Sequence, residues 1–203
     1  MNLVPARSLI AVTDEEMLPF PELFLSQSTL HGQAHVGRVM IHALRLVEAT
    51  GFTDCVCPLW AAVYLHDIAR VHDGRSKGHG ADAWARLATL PEVRALFTRG
   101  GVREEDLPAI QTAVTLHSRG EADPGADHKR LTDLIKDADG LDRVRLRDLH
   151  PEYLRTPQSR TMVAFAERLY EETDGRFPPS RDLFGNLWRE TERILHPTTA
   201  MRL

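Results

Sequence analysis

Between the places where glycine and proline cluster, apolar residues in this chain recur at intervals of three and four and seldom at two. That period lines up side chains on one face of an α-helix, whereas alternation at two would mark a strand, so the chain reads as all-α. The pattern predicts one helix over 29–50, with Val36, Val39, Ala43, Leu46 and Val47 on one side and Gly51 as its stop. A second starts at Pro58, runs along Leu59, Ala62, Val63, His66 and Ala69, and ends in the turn His72-Asp73-Gly74. A third is expected over 80–90, closed by Pro91, and a fourth along Leu107, Ile110, Ala113, Val114 and His117. After a loop over 118–129, Leu131, Leu134, Ile135, Ala138 and Asp142 form another helical face, and two more helices follow over 158–173 and 180–195.

A chain of 203 residues, 42% hydrophobic and 27% charged, is long enough to bury one core. The expected division is an N-terminal extension over 1–28 packed on that core, a helical domain over 29–196 and a tail over 197–203. No stretch approaches the roughly 20 apolar residues that cross a bilayer. Pro5 and Arg7 interrupt the apolar residues of the N-terminus, which does not resemble a secretory leader. Cys55 and Cys57, one residue apart, fit neither a disulfide framework nor a zinc knuckle and read as buried thiols in a reducing compartment, so the expected location is cytoplasmic. A net charge of -4 gives no overall attraction to nucleic acid or to an anionic membrane. An anionic substrate would have to be captured locally, by a metal or a few arginines. Oligomeric state is left open.

Four places put a metal-ligating side chain on the inward side of an expected helix: His35, the pair His66-Asp67, His117 and Asp139. A His-Asp pair is weak by itself, since 10 His and 15 Asp in 203 residues give about 0.7 copies by chance. The other copy, His72-Asp73, falls in a turn beside Gly74. His66 alone reads first as a core imidazole bonded to a backbone carbonyl. Asp67 beside it changes the balance, because a desolvated carboxylate without a partner costs several kcal/mol, and a divalent cation partners both side chains together. Asp139 lies at the edge of the apolar face one turn after Ile135. Asp137 reads as a solvated or helix-end charge, and Asp142, one turn after Ala138, as a support for a ligand. His31, His35, Arg38 and His42 share one side of the first helix. Gly32 and Gly37, each costing roughly 1 kcal/mol in a helix, point to close packing or a close ligand approach.

The ordered set His35, Arg38-Val39, His66-Asp67-Ile68-Ala69-Arg70 and Lys136-Asp137-Ala138-Asp139-Gly140-Leu141-Asp142 resembles the HD superfamily of metal-dependent phosphohydrolases, over 29–142. The resemblance implies a single-domain helical bundle of the HD-domain type, with His35, His66, Asp67 and Asp139 as metal ligands. Asp139 is taken over Asp137 because the superfamily's aspartate follows an alanine and precedes a leucine by two. Some branches hold a second metal with further histidines, and His79 and His117 stand in the right order for that, with Asp67 bridging. His79 is equally readable as a solvated loop histidine.

Imidazoles and carboxylates without thiolate suit Mn, Fe, Co, Ni, Zn or Mg, one ion or two, rather than a structural zinc site. Such an ion acidifies water and neutralises a phosphoryl oxygen, so the expected reaction is attack of metal-activated water on a phosphomonoester, phosphoanhydride or cyclic phosphodiester of a small metabolite, foremost a nucleotide. Asp67, His31 and Arg38 are the catalytic candidates, with His31 as proton relay. Arg38, Arg70, Lys77 and Arg119 are the substrate-binding candidates. With 22 Arg among 25 basic residues, a nearby arginine carries less weight than it otherwise would. Two other readings stand: a di-iron oxygenase of the same superfamily, which needs both His79 and His117 as ligands, and a non-catalytic helical module.

Overall fold

The computed structural model describes residues 5–120 and 122–197. Residues 1–4 of the N-terminal extension, position 121 in the expected loop and 198–203 of the tail lie outside them. Among the described residues there are nine α-helices and no strand: α1 (Gln33–Thr50), α2 (Val56–Leu65), α3 (His79–Leu87), α4 (Pro91–Arg99), α5 (Leu107–Leu116), α6 (Ala126–Leu141), α7 (Pro157–Thr161), α8 (Val163–Thr173) and α9 (Leu183–Leu195). Short 3₁₀ turns join several of them.

Helix α1 is the axis of the bundle. The sequence shows one apolar stripe, but α2, α6 and α9 press on it from different sides, and polar residues such as Gln33, His35, Arg38 and His42 are buried with the aliphatic ones. Gly37 carries the contact with α9: a Cβ there would stand 2.4 Å from Leu187 Cδ1. Its partner in the sequence reading, Gly32, lies against the Ser28 carbonyl, so both glycines answer to packing within the chain. Helices α2, α5 and α6 complete the inner bundle, with α3 on α5 and α8 on α9. Ala6, Ile10, Met17, Leu18 and Phe24 belong to the same hydrophobic core, and Met17 O accepts a hydrogen bond from the buried Trp60 indole at 3.1 Å.

Several boundaries differ from the sequence reading. Helix α1 begins at Gln33, and α2 ends at Leu65, where the chain turns tightly instead of running on to residue 72. Pro91 opens α4 instead of only closing α3, since a proline lacking N–H fits the first turn of a helix. Helix α6 begins at Ala126, inside the expected loop, and the helix expected over 158–173 is broken at Met162. Cys55 is buried and Cys57 half-buried, both as free thiols. No helix among the described residues is long and apolar enough to cross a membrane.

Asp137 is corrected outright. It is fully buried, not solvated. Its carboxylate accepts from the backbone N–H groups of Arg155 and Thr156, both at 2.7 Å, and from the Thr156 and Ser159 hydroxyls, both at 2.8 Å. Four donors replace the lost water, and together they pin the chain entering α7 to the middle of the bundle.

Candidate metal centre

Five elements bring six ligand-type side chains to one place. His35 comes from the first turns of α1, His66 ends α2, Asp67 occupies the turn after it, His79 opens α3, His117 follows α5, and Asp139 sits in the last turn of α6. The meeting of His79 with His117 depends on Gly80. A Cβ at that position would stand 2.1 Å from Val114 O and 3.1 Å from His117 Nδ1, so only glycine lets α3 lie this close to the end of α5.

The ligand atoms form two groups that Asp67 joins. In the first, His35 Nε2 lies 3.2 Å from His66 Nε2, 3.3 Å from Asp139 Oδ1 and 3.5 Å from Asp67 Oδ2. In the second, His79 Nε2 lies 2.8 Å from His117 Nε2 and 3.0 Å from Asp67 Oδ1. Ligands bonded at about 2.1 Å to one ion stand roughly 3.0 to 3.4 Å apart at right-angle to tetrahedral geometry, and these separations bracket that range.

The opposite ring nitrogens fix which atoms are free to ligate. His66 Nδ1–H donates to Val63 O at 2.7 Å, His79 Nδ1–H to Ser76 O at 3.0 Å and His117 Nδ1–H to Val114 O at 2.6 Å. A carbonyl only accepts, so each proton resides on Nδ1 and each Nε2 presents a lone pair. His35 Nδ1–H donates in the same way to Asp142 Oδ2 at 2.7 Å. Lone pairs and carboxylate oxygens thus face one another, an arrangement that a cation stabilises. These buried His/Asp groups could hold a metal ion.

Burial and Arg145 press His35 down, yet Asp139 and Asp142 hold it above the usual imidazole value, whereas its neighbours follow the pattern a metal site needs. Burial by itself would raise the Asp67 carboxyl, yet His66, His79, His35 and His117 hold it below the usual carboxylate range. Asp139 is likewise held well below that range, against its burial, by His35 and its neighbours. Burial pushes His66 down, and takes His117 down to about 4. Ionised carboxylates and neutral imidazoles are the forms that ligate metals.

The centre opens into a cavity of about 680 Å³. His31 and Arg70 line it beside Asp67, Asp139, His79 and His117. Arg70 Nη1 lies 3.3 and 3.4 Å from the two ring nitrogens of His79 and 3.8 Å from Asp67 Oδ1. Lys77 and Arg119 do not line the cavity; both are exposed, and Arg119 Nε donates to the Lys77 carbonyl at 3.2 Å. Arg38 does not line it either. Its Nε donates to Asp142 Oδ1 at 2.6 Å and its Nη2 to Oδ2 at 3.1 Å, with the guanidinium over the Tyr170 ring, so it stands behind His35 and supports the carboxylate that orients it. Asp142 is held low, against its burial, by Arg38 and His35, and fills the supporting place the sequence assigned to it.

The sequence reading missed much of the cationic wall. Lys136, Arg143, Arg145 and Arg155 line the cavity, three of them from the stretch after Asp142. It also set aside Asp73, which accepts from the Ser28 hydroxyl and pairs with His31 Nδ1 at 3.0 Å on the cavity wall. Comparison with protein-family models, with curated proteins and with solved structures finds no match to this chain. The all-helical bundle and its His/Asp cluster are compatible with an HD-type fold.

Proposed function

We propose that this chain is an HD-type, metal-dependent phosphohydrolase acting on a small phosphorylated metabolite, foremost a nucleotide. One observation carries the reading: imidazoles whose Nε2 lone pairs converge with Asp67 and Asp139, at the floor of an arginine-lined cavity. His35, His66, Asp67 and Asp139 would hold one ion, and Asp67, His79 and His117 a second. A divalent ion of Mn, Fe, Co, Ni or Zn, with Mg also admissible, would supply a Lewis acid there and would lower the pKa of water to roughly 7 to 9.

The chain's own residues do the rest. Arg70 and Arg145 line the cavity with guanidinium charge that suits phosphoryl oxygens. Asp142 and the three backbone carbonyls keep the imidazoles aimed without cost at the moment of reaction. His31, with Nδ1 fixed on Asp73, offers Nε2 to the leaving-group oxygen.

The test is phosphate release from a panel of phosphomonoesters, phosphoanhydrides and cyclic phosphodiesters with Mn, Fe, Co or Ni added. Hydrolysis that Asp67→Ala abolishes is the expected result, and a metal-loaded chain that cleaves nothing in the panel overturns the reading. Asp67 lying between two ligand groups also favours the di-iron oxygenase as a second reading. Iron-loaded protein that consumes oxygen with a phosphorylated substrate, without net hydrolysis, would select it.

A further inference from the structure

The two ligand groups are not alike. The first combines Asp139, one oxygen of Asp67 and two imidazoles, one of them backed by the Asp142 carboxylate. The second has a single carboxylate oxygen, shared through Asp67, and its two imidazoles rest on neutral carbonyls. It also has a resident cation. Arg70 Nη1 touches both nitrogens of His79 and approaches Asp67 Oδ1, while Nη2 is tethered to Gly74 O at 2.9 Å. The Arg70 Nε donor is buried and has no hydrogen-bond acceptor among the described residues. A guanidinium stays charged at any working pH, so it opposes a second positive ion at the same ligand atoms.

Resting on the metal reading above, we propose that Arg70 keeps the second site weak until an anion enters the cavity and offsets its charge, so that second-ion binding and phosphoryl binding are coupled. Coupling of this kind is reciprocal: the anion tightens the ion, and the ion tightens the anion by the same factor. The guanidinium charge on the cavity wall attracts an oxyanion that enters.

The experiment is a calorimetric titration of the full chain with Mn²⁺, with and without inorganic phosphate, for the wild type, Arg70→Ala and Arg70→Lys. The wild type should show one tight event and a second at least about tenfold weaker, a factor typical of one nearby charge or supporting group. Phosphate should tighten the second event and leave the first in place. Arg70→Ala should tighten it without phosphate and lose the phosphate response, its unchanged first event showing that the fold is intact. Arg70→Lys, which keeps the charge, should stay weak. Two equally tight wild-type events, or a second event indifferent to both phosphate and Arg70→Ala, overturns this inference alone. A chain that takes up no Mn²⁺ at either site overturns the metal reading with it.

Discussion

Arg38 and Asp142 show what a single side chain can contribute without touching solvent. Both are almost wholly buried, and His35 takes its orientation from the carboxylate they share. Asp142→Asn removes the charge while keeping the shape, leaving the Arg38 guanidinium uncompensated. The expected loss is about 3 to 5 kcal/mol in chemical denaturation, with metal affinity lower by about 10- to 100-fold in a competition titration. His42 tests burial in a different way. It is fully buried, neither ring nitrogen has a hydrogen-bond partner among the described residues, and burial takes it from 6.5 down to about 4. The unfolded chain takes up that proton near 6.5 and the folded one only near 4. Its contribution is therefore fully present above pH 6.5 and is lost as pH falls towards 4, by about 3 kcal/mol. In urea titrations at pH 7 and pH 4.5, His42→Leu should lose correspondingly less stability than the wild type. Helical spacing placed His35, Arg38 and His42 on one side of α1, but His31, expected with them, precedes the helix in a turn. It could not tell that Arg38 lies beneath the ligand layer, because periodicity gives direction around an axis and says nothing of what packs there.

Among the elements, α3 and α5 come closest at Gly80, where the second ligand group is brought together. Gly80→Ala would press a methyl into Val114 O, forcing the helices apart. The expected cost is about 1 to 3 kcal/mol of stability, together with a weakened second Mn²⁺ event and an unchanged first one in the same titration. Helices with long apolar stripes were legible, and so were the ligand-type side chains on them: His66 and His117 each extend a run of buried aliphatic residues. Helix α4 was not legible, because it buries only Val93 and Phe97 and opens with a proline that can also end a helix. Asp137 was misread for a related reason. Its partners lie 18 to 22 residues onward, at the entry to the short helix α7 and in its first turn, where no long period marks which groups return to the bundle.

At the scale of the whole molecule, ligands from five separate elements mean that a bound ion would cross-link most of the bundle. An ion at 100 times its dissociation constant adds about 2.7 kcal/mol, which for a chain of this size raises the melting temperature by about 5 to 10 °C. Differential scanning fluorimetry with Mn²⁺ against a chelator should show that interval, and Asp67→Ala should erase it. The cationic wall has a different origin from the ligand floor. Arg143, Arg145 and Arg155 belong to one short run of chain, fastened at its start by Asp142 and at its end by the grip of Asp137 on Arg155 and Thr156. Clamped at both ends and supplying none of the six ligand-type side chains, that run works as a replaceable panel: its exposed positions could be exchanged to suit a differently shaped guest while the His/Asp cradle behind it stayed as it is.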